Sequence, residues 1–348
     1  MSDETEPVGG EKYRRLIAAA QSQTRIKVAV AHPCDDVSLR GAIEAHKLGL
    51  IEPILVGPPE KVGSAAKDAH LDITGFELVE SAHSHESASK AVALVTAGRV
   101  EALMKGSLHT DELMGAVVAR EGGIRTERRI SHCFIMDVPA HQEPLIITDA
   151  AVNIAPDLDA KVDIIQNAID LAHAMGAPEV RVAILSAMET VTAKVPSTIE
   201  AAALCKMADR GQITGALLDG PLALDNAISP EAAAIKKISS PVAGRANVLV
   251  VPDLEAGNML AKSLSFLANA DAAGIVLGAR VPIILTSRAD SLLSRLASSA
   301  VAVMVAAARR VAAAPALGEL KSPSASAPGA FRAGLDEAAI TAAAPLPR

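Results

Sequence analysis

The stretch PVAGRANVLVVPDLEAGN, residues 241–258, decides the fold. Its apolar run at 246–251 predicts a buried strand, and Pro252-Asp253 marks the predicted end of that strand. Gly257-Asn258 predicts a turn, followed by a helix at about 258–267. Open α/β sheets place their ligand sites beyond the carboxyl ends of strands. The stretch therefore indicates an α/β fold with a candidate site at this strand end.

A second stretch, PIILTSR at residues 282–288, predicts a short apolar strand that runs into Thr286-Ser287-Arg288 and then into a long helix. At a helix N-terminus, a hydroxyl and free backbone N–H groups donate to an oxyanion, and a guanidinium binds two oxygens at once. Ser287 and Arg288 are therefore candidate phosphate ligands. The alternative is an ordinary Ser N-cap beside a solvated Arg.

Strand-like and helix-like segments alternate along the chain, which indicates largely parallel sheets covered by helices. The predicted strands are 26–31, 52–56, 76–80, 102–104, 180–185, 215–218 and 246–251. Residues 130–137 and 144–148 predict a closely spaced pair of strands, a candidate antiparallel edge. The pattern restarts at Asp149, which predicts a second α/β unit at 149–272. Residues 315–348 are rich in Ser, Pro and Ala and predict a low-complexity, mobile tail.

Composition excludes several classes of function. Of the 348 residues, half are apolar, yet Trp is absent and only one Tyr and four Phe occur, so Ala, Val, Leu and Ile must build the core. A formal net charge of −7 argues against nucleic acid or an anionic membrane as the main partner. The three cysteines form neither a disulfide framework nor a zinc pattern. We therefore expect a cytoplasmic enzyme without a metal site.

Four fragments in one order give the chain a family resemblance. They are DAAVN at 149–153, DGPL at 219–222 with Asp225, VAGRANVLVVPDLEAGN at 242–258, and PIILTSR at 282–288. Together they resemble the phosphate acetyl/butyryltransferase family over about residues 20–312. The resemblance implies reversible transfer of a short acyl group between coenzyme A and inorganic phosphate. It also implies that coenzyme A is a substrate and that no cofactor is tightly bound.

The resemblance further implies that residues 273–314 return to the first domain. Domain 1 would then be discontinuous, 1–148 plus 273–314, and domain 2 would be 149–272, with a cleft between them. This is an architecture like that of isocitrate and isopropylmalate dehydrogenases. A homodimer or a higher homo-oligomer is expected.

The resemblance assigns Ser287 to hydrogen bonding in the transition state and Arg288 to phosphate binding. The acetyltransferase branch carries an Asp seven residues beyond its Ser, and that position is Ser294 here. Asp290 lies three residues from Ser287, one turn away on the predicted helix, and is the candidate base in its place. Its alternative role is a first-turn acid that stabilises the helix dipole.

Further candidates for phosphate or coenzyme A binding lie at the predicted strand ends. Lys105 can neutralise a phosphate, and Gly106 allows close backbone approach. The other candidates, predicted to lie at the cleft, are Arg125, Asn153, Asp219, Asp253 and Asn258. Each also has a structural interpretation, such as a solvated lysine, a rim arginine or a turn residue.

Departures from the acetyltransferase branch bear on the acyl group. Two arginines of that branch are missing here, whereas the segments MKG, IRT and LTSRADS are present. These features place the chain closer to the butyryl-type or mixed branch. Two other functions stay open: a non-catalytic regulatory protein that binds coenzyme A or phosphate, and an NAD-linked β-decarboxylating dehydrogenase. Against the dehydrogenase, no G-x-G-x-x-G follows the first strand.

Overall fold

The structure is a computed structural model that describes residues 10–286 and 290–313. In it the chain has an α/β fold with a mostly parallel, mixed sheet. The strands are β1 (Ile26–Ala31), β2 (Ile51–Gly57), β3 (Leu78–Glu80), β4 (Ala102–Lys105), β5 (Ser131–Asp137), β6 (Leu145–Thr148), β7 (Arg181–Leu185), β8 (Leu217–Leu222), β9 (Val248–Val250), β10 (Asp271–Leu277) and β11 (Ile283–Ile284). The helices are α1 (Glu11–Gln21), α2 (Asp36–Lys47), α3 (Pro59–Asp68), α4 (Ser84–Thr96), α5 (Thr110–Val117), α6 (Leu158–Ala174), α7 (Pro196–Asp209), α8 (Leu224–Ile228), α9 (Pro230–Ile235), α10 (Leu254–Leu267) and α11 (Leu292–Ala313).

Strand direction divides the sheet into two parallel groups. The strand order in the described residues is β3-β2-β1-β4-β11-β10-β5-β6-β9-β7-β8. On one side β1, β2, β3, β4 and β11 run parallel, and on the other β6, β9, β7 and β8 run parallel. Between them, β10 pairs antiparallel with β11 and β5, and β5 pairs antiparallel with β6. The two groups therefore run in opposite directions, and their carboxyl ends lie at opposite ends of the sheet.

We call these the β4 end, where β1, β4 and β11 finish, and the β6 end, where β6, β9, β7 and β8 finish. Each is an independent place for a ligand site, because carboxyl ends of parallel strands gather loops and helix N-termini. Which candidate residues share a site therefore depends on which end they occupy.

Helices cover both faces of the sheet. Alternate residues of a strand point to opposite faces. On one face Val28 and Val30 of β1 join a core with α2 and α11, and on the other Ala29 and Ala31 join a core with α4 and α5. Helices therefore pack on both sides of the strands that finish at the β4 end.

Helix α11 is long and apolar enough to cross a membrane by length and composition, with a mean hydropathy of 1.5 in its most apolar window. Half of that window is buried inside the fold. Ala297, Ala300 and Val301 belong to the core against the sheet. The apolar composition of α11 thus serves core packing in this fold.

Several predicted elements are confirmed: the strands at 26–31, 52–56, 102–104 and 180–185 correspond to β1, β2, β4 and β7. The strand pair at 130–137 and 144–148 is antiparallel, but it lies in the middle of the sheet rather than at an edge. The edge prediction is wrong because both strands find a second partner, β10 for β5 and β9 for β6.

One predicted turn and one predicted strand end are also corrected. Gly257-Asn258 lies inside α10, because Asp253 caps the helix four residues earlier by accepting from Ala256 N at 2.8 Å. A Cβ at Gly257 would lie 2.9 Å from the Asp149 backbone oxygen, so this glycine serves close helix packing. Asp219-Gly220-Pro221 lies within β8, whose predicted end at residue 218 was too early.

Candidate active site

The loops after β1, β4 and β11 meet at the β4 end. Ala31 pairs with Lys105, and Met104 pairs with Ile284, so the three strands finish side by side. The residues that follow them are His32, Gly106 and Leu285. Sequence reasoning selected the β4 and β11 ends as sites, and the structure places those ends together.

Lys105 and Gly106 are held tightly against β1. Gly106 N donates to Ala31 O at 2.9 Å, and the Ser107 backbone N and Oγ donate to His32 O at 2.9 and 2.8 Å. A Cβ on Gly106 would lie 2.3 Å from Ala31 O and 2.5 Å from His32 O, so only glycine fits here. The half-buried Lys105 donates from Nζ to Gly106 O at 3.3 Å. The loop thus presents a cation and closely packed backbone at the β4 end.

A second cation, Arg295 of α11, lies beneath the end of β11. Its side chain is buried, and Nη1 donates to Thr286 Oγ1 at 3.1 Å. Burial lowers the pKa of the guanidinium, whereas the negative charges of Asp290 and Asp35 raise it. Sequence reasoning did not select Arg295. Its signal was an arginine at a position where the helical pattern expects a buried residue.

Asp290 lies before α11 rather than on it. The helix begins at Leu292, and Ser291 Oγ accepts from Ser294 N at 3.1 Å, which is N-capping geometry. The predicted placement of Asp290 on that helix is therefore wrong. Asp290 instead acts electrostatically on Arg295. Ser287 and Arg288 lie outside the described residues.

Cys34 also lies near the β4 end, where its backbone N donates to Ser107 Oγ at 3.3 Å. Burial raises the pKa of its thiol to about 11. A thiol with that pKa is protonated at neutral pH and is a poor nucleophile. Burial likewise raises the pKa values of Cys133 and Cys205 to about 12. The cysteines therefore do not favour a covalent acyl-enzyme.

The other candidates lie away from the β4 end. Asn153 follows β6, and Asp253 and Asn258 follow β9, so these three lie at the β6 end. Arg125 is exposed and bridges Ala279, which follows the end of β10 at the same side. They lie at the opposite end of the sheet from Lys105, because β5 and β10 reverse the strand direction in between. Their predicted place at a shared cleft stays a prediction.

Asn153 and its neighbours form a closed hydrogen-bonded turn. The buried Asp149 accepts from the backbone N of Ala151 and Val152 at 2.9 and 3.0 Å and from Asn153 Nδ2 at 2.6 Å. Asn153 Nδ2 also donates to Ile130 O at 2.9 Å, and its Oδ1 accepts from Arg129 Nε at 2.7 Å. The DAAVN motif therefore organises the loop after β6.

The remaining three candidates also make local contacts. Asp253 caps α10, and Asn258 Nδ2 donates to Ala150 O at 3.3 Å, which ties α10 to the loop after β6. Asp219 lies within β8, opposite Ala183, and accepts from Gly220 N at 2.8 Å. Their predicted role in ligand binding stays a prediction, and their observed contacts are structural.

Replacing Asp149 with Ala is expected to lower the free energy of unfolding by about 3 kcal/mol or more, because several buried or half-buried donors lose their acceptor, at about 1–3 kcal/mol each. Urea denaturation measures the change. The control is Asp159→Ala, at an exposed position in the first turn of α6, where a loss of roughly 0.3–1 kcal/mol is expected. Equal losses in the two variants would show that the turn around Asp149 contributes little.

Two open grooves lie elsewhere on the molecule. One, of about 520 Å³, contains Arg128, Arg280 and Arg309, but Arg128 pairs with Asp170 and Arg309 donates to Arg280 O. The other, of about 610 Å³, lies between α1 and the end of α6. Neither groove includes the residues of the β4 end. Cavity volume and the placement of the candidate residues therefore indicate different sites. The β4 end is the stronger candidate, since its cations lie at the carboxyl ends of parallel strands, where open α/β sheets bind ligands.

In this α/β protein, cations and hydroxyl groups gather at the ends of parallel strands, a pattern typical of sites for phosphorylated ligands. The chain belongs to the phosphate acetyl/butaryl transferase family, whose model matches residues 82–303. It is 66% identical to a phosphate acetyltransferase of Rhizobium meliloti, over 88% of this chain and 97% of that protein. It is 38% identical to a phosphate butyryltransferase of Clostridium acetobutylicum, over 85% and 98% of the two chains.

Solved structures agree with this assignment. A branched-chain phosphotransacylase from Enterococcus faecalis V583 matches with a TM-score of 0.71 and 30% identity, covering 81% of this chain and 99% of that one. A phosphotransacetylase from Streptococcus pyogenes, with a TM-score of 0.72 and 23% identity over 84% and 98% of the chains, shares the fold. The family predicted from the four sequence fragments is confirmed.

The predicted position within the family is not supported. The relative at 66% identity is named an acetyltransferase, and the one named a butyryltransferase is at 38%. Short segments such as MKG and IRT therefore did not reflect similarity over the whole chain. The acyl preference has to be decided by measurement.

Proposed function

We propose that this phosphate acyltransferase transfers a short acyl group, acetyl to butyryl, between coenzyme A and inorganic phosphate at the β4 end. In the proposed reaction the thiolate of coenzyme A attacks the acyl phosphate directly within a ternary complex. The observation that carries the proposal is the convergence of Lys105, Gly106 and Arg295 on the segment leading to Ser287-Arg288. An acyl phosphate is already activated, so positioning two substrates and stabilising charge are the main tasks of the protein.

Each residue of the proposed site has a distinct task. Lys105 and Arg288 bind the phosphate. The close packing of Gly106 against the end of β1 holds the backbone beside Lys105 in place. The hydroxyl of Ser287 donates to the oxyanion that develops on the acyl carbonyl. Asp290 acts electrostatically on the buried Arg295, and we assign it to keeping that cation in place beneath Thr286.

The test of this function is release of free thiol from acyl-CoA with and without phosphate. We expect release that depends on phosphate and that yields acyl phosphate in equal amount. Binding of coenzyme A without turnover would favour the non-catalytic regulatory protein instead. A change in pyridine-nucleotide absorbance with a hydroxyacid substrate would favour the dehydrogenase.

Acetyl-CoA is expected to be used at least as well as butyryl-CoA, since the relative at 66% identity is named an acetyltransferase. Each buried CH₂ is worth about 0.8 kcal/mol, or roughly fourfold in binding, if the acyl pocket has room for it. Values of kcat/KM for acetyl-, propionyl- and butyryl-CoA measure the size of that pocket. A tenfold preference for butyryl-CoA would instead support the sequence-based prediction that the chain is closer to the butyryl-type branch.

The wider setting of the enzyme is also a proposal. The division into 1–148 plus 273–314 and 149–272 is supported by the change of strand direction at β10 and β5. An interdomain cleft like that of isocitrate dehydrogenase stays a prediction. We further propose coenzyme A and phosphate as its partners, a homo-oligomeric assembly and a cytoplasmic location.

A further inference from the structure

His32 connects β1 to the loop that carries Lys105. It follows the last residue of β1 with a φ of 57°, a left-handed conformation that side chains other than glycine adopt rarely. Its backbone oxygen accepts from both the N and Oγ of Ser107. Only 8% of the residue is exposed. The conformation and these contacts fix the imidazole at the β4 end.

A network of hydroxyl groups determines which ring nitrogen carries the proton. His32 Nδ1 lies 2.9 Å from Ser87 Oγ, and Ser81 Oγ lies 2.7 Å from the same atom. Ser87 Oγ donates its single hydrogen to His83 O at 3.0 Å. It therefore accepts from Nδ1–H of His32 and from the hydroxyl of Ser81, which satisfies every group. Neutral His32 then carries its hydrogen on Nδ1 and a lone pair on Nε2.

Nε2 is available to a ligand. Within residues 10–286 and 290–313 this atom has no hydrogen-bond partner. It is also not fully buried, since the fully buried polar atoms without a partner do not include it. The same ring thus has one nitrogen fixed by protein contacts and one open nitrogen. That is the arrangement expected of a group that exchanges a proton with a substrate.

The spacing between His32 and the β11 loop suits two reacting groups. β4 lies between β1 and β11, and neighbouring strands are about 4.8 Å apart, so the backbones at His32 and Thr286 are separated by roughly 10 Å. Lys105 and Gly106 lie between them. A phosphoryl group near Lys105 and a thiol sulfur beside it would fill this gap.

We propose that His32 is a catalytic residue whose Nε2 accepts the proton of the coenzyme A thiol. The proposal rests on the proposed function. As the S–H bond breaks, the thiolate forms a C–S bond with the acyl carbon, and the C–O bond to phosphate breaks with its electron pair on the phosphate oxygen. The imidazolium then returns the proton to phosphate, and in the reverse direction it protonates the departing thiolate.

The surroundings of the ring keep it neutral near pH 7. Burial lowers the pKa of His32 from its ordinary value near 6.5, and Lys61 and His83 also lower it, whereas Glu112 and Asp35 raise it. These four residues lie on α3, before α4, on α5 and before α2, the elements packed around the ring. A general base must be unprotonated to act, so activity toward acyl-CoA synthesis falls as the pH drops through the pKa of His32, which burial places below its ordinary value.

The test is His32→Asn in the full chain. Asparagine tolerates the left-handed conformation and reaches Ser87 with its amide, but it has no atom in place of Nε2. With acetyl phosphate and coenzyme A, we expect kcat to fall by about 10²–10⁴-fold. The acidic limb of the kcat/KM profile should disappear, and added imidazole should restore part of the rate.

The matched control is His70→Asn, since His70 also has a positive φ, 53°, but is exposed at the end of α3. It should keep wild-type kcat. Ser87→Ala, which frees Nδ1, should lower kcat less than His32→Asn and shift the acidic limb, with the melting temperature checking the fold of each variant. Wild-type kcat and an unchanged acidic limb in folded His32→Asn would overturn the proposal. No phosphate-dependent turnover by the wild-type protein would instead overturn the proposed function.

Discussion

Replacing Ser287 with Ala is expected to reduce kcat by about 10²–10³-fold, the usual effect of losing one donor to a developing oxyanion. The expectation rests on the proposed role of Ser287, which directly follows Thr286 at the end of β11. A hydroxyl that binds the transition state more tightly than the ground state changes kcat more than KM. Steady-state kinetics with acetyl phosphate and coenzyme A measure both constants. The melting temperature should stay at its wild-type value.

Ser291→Ala is the matched control, because Ser291 supplies the N-cap of α11 by accepting from Ser294 N. Loss of a cap costs about 1 kcal/mol of stability. This variant should therefore unfold more easily while its kcat stays within a few-fold of wild type. If Ser287→Ala behaved in this way instead, Ser287 would be a structural residue and the β11 loop would lose its proposed oxyanion donor.

The sequence predicted the strands well where an apolar run ends in a breaker. Ile26–Ala31 is followed by His32-Pro33, and β7 follows a glycine- and proline-containing turn, so the hydrophobic pattern and its interruption were sufficient. The family was predictable as well, since four ordered fragments are specific even when each one alone is weak. Local signals of this kind do not depend on which strands become neighbours.

Pairing partners and strand direction were not predictable in the same way. Asn153 and Asp253 follow strands, and Lys105 ends one, but the reversal at β5 and β10 puts the first two at the other end of the sheet. Likewise, a side-chain cap decides where a helix begins. Asp253 starts α10 before Gly257, and Ser291 starts α11 after Asp290. The strand interpretation failed because tertiary pairing decided the strand direction, whereas the helix starts were missed because a local cap three residues before its donor was not recognised.

His32 and Arg295 show the same limit for the site. A histidine after a strand and an arginine within an apolar helix are common, and most have no catalytic role. Only the contacts distinguish these two: the bond from Nδ1 to Ser87, and the bond from the guanidinium to Thr286. The candidate site therefore needed the structure, whereas the family did not.

Gly106→Ala is expected to reduce stability and activity together. The added Cβ would lie 2.3 Å from Ala31 O and within 2.6 Å of the carbonyl atoms of His32, all of them backbone. Backbone cannot rotate away as a side chain can, so β1 and β4 must separate at their carboxyl ends. Overpacking of this kind typically costs about 1–3 kcal/mol, sometimes more. Because the shift displaces both Lys105 and His32, kcat/KM should fall by at least tenfold even where the variant is fully folded.

Gly115→Ala separates this effect from a general effect of removing a glycine. Gly115 lies inside α5, and a Cβ there would meet no atom within 4 Å. Alanine should stabilise this helix by about 0.5–1 kcal/mol and leave kcat/KM unchanged. Urea denaturation and phosphate-dependent thiol release are measured on both variants. If Gly106→Ala kept wild-type stability and kcat/KM, the close contact between β4 and β1 would not hold the site, and the proposed positions of Lys105 and His32 would lose their common support.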